Sequence, residues 1–274
     1  MSATITAADI NKLRQATGAG MLDCRKALTE SNGDFEAAID WLRKQGQKVA
    51  AKRSDREAKE GVILAKTTAD NKAGIIVCIS CETDFVSKNA DFVAFAQTIA
   101  DAAVSNNVKS AEELNEVVIN GAKVSDLIND KLASIGEKIE VSKFERVEAP
   151  FVASYIHGAN RMGVLVGLTK ESAEAGKDVA MQIAAMNPLA VDESSIPADV
   201  IEREKNIAIE VVKAEGKPAE MAEKIAMGKL NKFFKDNTLM AQAFVKDANK
   251  SVADYLKGID ADLKVTEFKR VALG

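Results

Sequence analysis

Four places in this chain combine residue types and spacing that could do chemistry. Cys78-Ile-Ser-Cys81 has the spacing of a thiol pair, which can ligate a metal or cycle between dithiol and disulfide. The surrounding residues read as a strand, however, where side chains three apart point to opposite faces, so the two sulfurs do not converge on one ion. No second pair completes a zinc site, and Cys24 lies in a separate segment. Core packing accounts for both thiols better than ligation, leaving a reactive Cys81 as the one thiol activity to test. His157 is the single histidine, so a Ser-His-Asp arrangement would rest on it alone. Gly158-Ala-Asn-Arg-Met-Gly163 has the glycine spacing of a phosphate loop. Val164-Leu165 stand where Lys and Ser or Thr would hold phosphate and magnesium. These residues argue against an enzyme, and against any cofactor, metal or directly bound nucleotide.

The fourth place is Glu82-Thr-Asp-Phe-Val-Ser87. Thr83 or Asp84 can cap a following helix with Phe85 in the core. Equally, Phe85 can be an aromatic wedge beside a carboxylate, aimed into a partner. Spacing leaves both readings open.

The elements that must position these residues are legible from periodicity. Residues 1–46 read as three short helices. Thr6-Ala-Ala-Asp9 has the form of a capping box, Gly18-Ala-Gly20 breaks the first helix, and Asn32-Gly33 ends the second. Phe35, Ala38, Ile39 and Leu42 follow helical spacing, with Gly46 as the stop. The module resembles a ubiquitin-associated domain. Residues 47–60 read as a charged linker, helical in part. From Arg43 to Lys59, Arg43, Lys44, Lys48, Lys52, Arg53, Arg56 and Lys59 face only Asp55 and Glu57. Without an aromatic or glycine pattern this run reads as solvated and not as a nucleic-acid site.

Beyond residue 60 the pattern turns to α+β. Gly61–Thr68 and Ile75–Cys81 form a predicted hairpin, followed by a helix over Ser87–Val104, helices near 111–119 and 124–134, and a strand from Lys138 to Val147. The plan then repeats: a hairpin from Phe151–Ile156 and Gly163–Leu168, then a helix over Lys177–Asn187. This predicts a duplicated α+β core with antiparallel sheets, one half at 61–148 and the other at 149–195 with 237–274. Residues 196–236 read as an inserted antiparallel helical hairpin turning at Gly216-Lys217-Pro218, with Val200, Ile207 and Val211 facing Met221, Ile225 and Leu230. A helix at Val252–Leu256 and a strand from Asp262 to Val271 close the chain.

Composition agrees with a folded protein: 47% of residues are hydrophobic and 28% charged, with four prolines in 274 residues. No apolar run approaches the roughly 20 residues that span a bilayer. The N-terminus has neither the basic start nor the apolar stretch of a signal peptide. Three cysteines, an odd number, point to a reducing compartment. A cytoplasmic protein without membrane contact is expected.

Leu13-Arg-Gln-Ala-Thr-Gly-Ala-Gly-Met-Leu-Asp-Cys-Arg-Lys-Ala-Leu28 resembles the N-terminal signature of the bacterial translation elongation factor Ts family, and Glu82-Thr-Asp-Phe-Val-Ser-Lys88 resembles its second signature. Ser154-Tyr-Ile-His-Gly158 with Gly163-Val-Leu-Val166 is similar to its second half-core. The resemblance spans essentially the whole chain. Arg25 stands where the family commonly has lysine, and the chain stops at Gly274 where some members continue into a further helical module. It implies that the partner is the GTPase elongation factor Tu, that the activity is release of its GDP, and that a 2:2 assembly is available to the pair. By the same resemblance Arg14, Met21 and Leu22 dock the N-terminal module on the GTPase domain. Asp84, Phe85 and Val86 press between its helices, with Ile135 and Gly136 beside them. His157, with Val245, holds another domain of the partner; Lys246 departs from an apolar residue found there in some relatives. The alternative from a different class is an adaptor that binds a nascent chain or ribosome through residues 1–46.

Overall fold

The computed structural model describes residues 4–53, 55–216 and 219–274, and of residues 50–52, 213 and 219–223 only the backbone. Helix α1 (Ala7–Thr17) starts at the predicted capping box, with Thr6 accepting from the Asp9 N–H and the Asp9 carboxylate accepting from the Thr6 N–H. It ends at Gly18 in the left-handed conformation (φ 70°). Helix α2 (Met21–Glu30) follows, and Asp34 caps α3 (Phe35–Arg53) by accepting from the Ala37 N–H. Leu13, Cys24, Ala27, Leu28 and Ala38 are the buried centre of this three-helix unit.

Gly46 does not stop α3, which runs unbroken to Arg53 and takes in much of the expected linker. The glycine serves a close approach instead. A Cβ there would lie 3.1 Å from Ala133 Cβ and 3.2 Å from the Asn129 carbonyl oxygen, both on a later helix.

Strands β1 (Glu60–Thr67) and β2 (Ala73–Cys81) form the first hairpin. A one-turn helix α4 (Asp84–Ser87) leads into α5 (Ala90–Ser105), whose N-cap is Asn89, not Thr83 or Asp84. Helix α6 (Ala111–Glu116) stops short of residue 119, because Val118–Ile119 pair as β3 with β4 (Ala122–Lys123). Helix α7 (Val124–Ile135) and β5 (Glu140–Glu148) complete the first half. The second half repeats it: β6 (Phe151–His157), β7 (Met162–Leu168) and α8 (Ala173–Met186). Then come α9 (Ala198–Ala214) and α10 (Ala219–Asn237), the short β8 (Ala243–Phe244) and β9 (Asp247–Ser251), α11 (Val252–Ile259) and β10 (Val265–Ala272).

The duplication is visible in topology. One antiparallel sheet has the order β1-β2-β5 and the other β6-β7-β10, so in each a hairpin's second strand takes the third strand on its free edge. Alternation along β2 explains how the halves stack. Ile75, Val77, Ile79 and Cys81 face the layer of α5 and α7, while Ile76 and Cys78 face the other sheet. Across that seam lie Val152 and Leu165 of the second sheet, whose opposite face packs on α8 and α11. Four layers result: helices, sheet, sheet, helices. The sheets approach closely enough that a Cβ at Gly163 would sit 2.8 Å from Ile63 Cγ2, and one at Gly74 2.7 Å from Leu165 Cδ2.

The inserted helices form an antiparallel pair, but with a different face inward than the spacing suggested. Ala208 and Val212 of α9 are buried, while Ile207 and Val211 are exposed. Val200 and Leu230 pack together as the spacing suggested, whereas Ile207 and Val211 border the groove beside Leu230 and the buried positions lie one residue on. Among the described side chains of α10, Ala226, Leu230 and Phe234 are buried. The Met221 side chain and the turn at 217–218 lie outside the described residues. Among the described residues no helix is long and apolar enough to cross a membrane.

Candidate functional site

The end of β2 delivers the Glu82–Ser87 segment to the surface, and two carboxylates hold it there. Glu137, just past α7, accepts the N–H groups of Glu82 (3.1 Å) and Thr83 (3.0 Å) on Oε2 and the Thr83 hydroxyl (2.7 Å) on Oε1. Glu82 reaches the opposite way and accepts the Lys138 N–H at 2.6 Å. Its remaining acceptor capacity is filled by Arg53 Nη1 at 2.8 Å and Arg56 Nη1 at 3.0 Å. Burial alone would raise the Glu82 carboxyl, but the Lys138 N–H and the Arg56 and Arg53 guanidinium groups outweigh it and hold the acid down at about 2. Two of the basic residues read as a solvated run are therefore internal partners of this segment. Glu137, Arg53 and Arg56 carried no local signal; their role appears only when segments 26 or more residues apart meet.

Braced in this way, α4 presents Phe85 almost wholly to solvent, 86% exposed. Val86 turns inward against the first half's core. Asp84 is ionised in an ion pair with Lys88 at 2.7 Å, one helical turn on, whose hydrogen bond and charge lower its pKa. Among the described residues Phe85 is the most exposed of the large hydrophobic side chains. Of the two readings of this segment, the exposed one fits the geometry.

Glu137 also brings other predicted residues to the same end of the molecule. Helix α7 ends at Ile135, which is exposed, and Gly136 takes the left-handed conformation (φ 82°) that turns the chain back toward Glu82. One residue before, the Ser134 hydroxyl donates to the Gly18 carbonyl in the α1–α2 loop. That loop opens α2, where Met21 and Leu22 are exposed, Leu22 by 80%, and Arg14 is exposed on α1. Helix α3 lies along α7, closed by the Gly46 approach and an Arg43–Asp130 pair at 3.8 Å around a cavity of about 200 Å³. A single helix terminus thus joins the N-terminal unit to the Asp84–Phe85 turn.

His157 stands apart on the second sheet, exposed at the end of β6, with Nδ1 3.0 Å from the Tyr155 hydroxyl. Val245 and Lys246, between β8 and β9, are tied to α8: the Val245 N–H donates to Gln182 (2.8 Å) and Lys246 Nζ meets Asp178 at 2.6 Å. Among the described residues no hydrogen bond or ion pair joins them to His157.

The chemical alternatives fare poorly. Cys81 is buried in the helix-facing core while Cys78 is buried in the sheet seam. Burial, with the charges of Glu137 and Glu60, pushes the Cys81 thiol up to about 12, the wrong direction for a nucleophile. Residues 158–161 are a turn between β6 and β7 and do not open a helix, so they form no phosphate cradle.

Comparison with known proteins places the chain in a family. The family model described as Elongation factor TS matches residues 82–274, beginning at the first residue of the braced segment. An Elongation factor Ts from Christiangramia forsetii is 52% identical, covering 99% of this chain and all of the relative. The chain belongs to the elongation factor Ts family. Another Elongation factor Ts, from Flavobacterium psychrophilum, is also 52% identical with the same coverage. One from Clostridium perfringens is 43% identical across 98% of this chain and 93% of the relative. Membership of the elongation factor Ts family gives the chain a role in translation elongation.

Proposed function

We propose that this chain binds elongation factor Tu carrying GDP and promotes release of the nucleotide, acting by binding and changing no covalent bond. Phe85 carries the reading: a large apolar ring held out in water by a rigid hydrogen-bonded turn is suited to burial in a partner. Asp84 and Phe85 form the wedge, Val86 anchors it to the core, and Ile135–Gly136 flank it. Arg14, Met21 and Leu22 supply a second contact on the N-terminal unit, and His157 a third on the second sheet. The three-helix unit and the two half-cores then serve as separate docking pieces.

Energetics require several contacts. Weakening a bound nucleotide by about 10⁴-fold takes about 5.5 kcal/mol of preference for the empty partner. Burying one phenylalanine contributes about 1.5–3 kcal/mol. The wedge therefore acts together with docking elsewhere. Linkage demands the reverse as well: GDP must weaken this chain's hold on the partner by the same factor. The test is release of fluorescent GDP from purified elongation factor Tu with and without the chain, alongside calorimetric titration of empty and GDP-loaded partner. Faster release and tighter binding to the empty form are expected; equal affinity for both forms refutes the proposal.

A further inference from the structure

Glu82 and Glu137 form a reciprocal clasp. Each carboxylate accepts a backbone N–H from the other's segment: Glu137 from Glu82 and Thr83, Glu82 from Lys138. Both lie immediately beside exposed apolar groups, Glu137 two residues after Ile135 and Glu82 three before Phe85. The clasp spans a break in regular structure. Strand β2 ends at Cys81 and α4 begins at Asp84, so residues 82 and 83 lack ladder partners and would otherwise leave two N–H groups unsatisfied. Thr83 stands at the N-cap position of α4 yet makes no side-chain cap bond, and its hydroxyl donates instead to Glu137. The direction of α4 is thereby set from α7 and not by its own cap. Arg53, the last residue of α3, completes the assembly by donating to Glu82, so the helix that carries the N-terminal unit also grips the turn.

We infer that Glu137 is a positioning residue for Phe85. It touches no partner itself but fixes the angle at which the ring is presented, and Glu82 with Arg53 couples that angle to the seating of the N-terminal unit. The inference rests on the wedge reading above. It places the exchange step's geometric precision in a half-buried hydrogen-bonded clasp within this chain.

A double-mutant cycle tests it on the full chain. Glu137→Ala removes all three acceptor contacts and frees the turn, and the saturating rate of GDP release should fall about ten- to a hundredfold, the scale on which a misplacement of about 1 Å acts. Half-saturation should move less, because docking through Met21, Leu22 and His157 is intact. In a Phe85→Ala background the same change should have no further effect on release, since there is no ring left to aim. Glu137→Gln keeps one carbonyl oxygen able to accept both N–H groups, and should stay within about threefold of the parent. Thermal melts of each variant report folding separately. If Phe85→Ala slows release while Glu137→Ala does not, or if the two losses multiply independently, the positioning role is refuted and the wedge stands. If Phe85→Ala itself leaves release unchanged, it is the exchange reading that fails.

Discussion

Phe85→Ala separates folding from function more cleanly than any other change in this molecule. With 86% of the residue already in water, only about a seventh of its surface is contributed to the free chain's packing. On a scale of about 1.5–3 kcal/mol for full burial, that remainder is about 0.2–0.4 kcal/mol, a shift of about 0.4–1.6 °C in Tm on the scale for large domains. The exposed share, about 1.3–2.6 kcal/mol, is realised only when a partner covers the ring. Lost from the exchange step, it slows GDP release about ten- to eightyfold. The assay is stopped-flow fluorescence of labelled GDP leaving elongation factor Tu over a range of variant concentrations, paired with a circular-dichroism melt. A drop in Tm of more than about 5 °C would show that the ring is structural; an unchanged release rate with an unchanged melt would remove Phe85 from the mechanism.

Two further outcomes follow from the scaffold. Gly163→Val forces a side chain into the seam where Ile63 Cγ2 would stand 2.8 Å and Ile76 Cγ2 3.3 Å from its Cβ, and should lower stability by about 1–3 kcal/mol; a melt that does not move refutes the tight-seam argument. Glu82, held at about 2 in the fold against an ordinary value of 4.5, stabilises the native state fully above pH 4.5 and loses that contribution as pH falls toward 2. Glu82→Gln should therefore cost stability at pH 7 but much less near pH 2, and equal losses in urea titrations at both ends would contradict the assignment.

Elements governed by local chemistry were legible before any coordinates. The Thr6–Asp9 capping box, the left-handed stop at Gly18, both hairpins and the opposite facing of Cys78 and Cys81 all depend on neighbours within a few residues. What escaped depends on distant partners. Gly46 looks like a helix stop in sequence because glycine is the usual one, and only the Asn129 carbonyl beside it reveals its packing role. Arg53 and Arg56 look like a solvated charge run until Glu82 arrives 26 residues later. The inward face of α9 escaped for another reason: Ala208 and Val212 are buried while Ile207 and Val211, one residue earlier, are exposed, and two adjacent apolar stripes cannot be told apart by spacing. For the site, Phe85 was legible as one of two alternatives; the clasp that aims it had no periodic or compositional trace.

The seam between the two sheets has a mechanical consequence. Phe85 is carried by the end of β2 and His157 by the end of β6, and the strands that bear them belong to opposite sides of that seam. In the docking proposed above, the relative placement of these two side chains therefore depends on how closely Gly74 and Gly163 let one sheet settle onto the other, so a methyl group added at either glycine would shift one contact against the other.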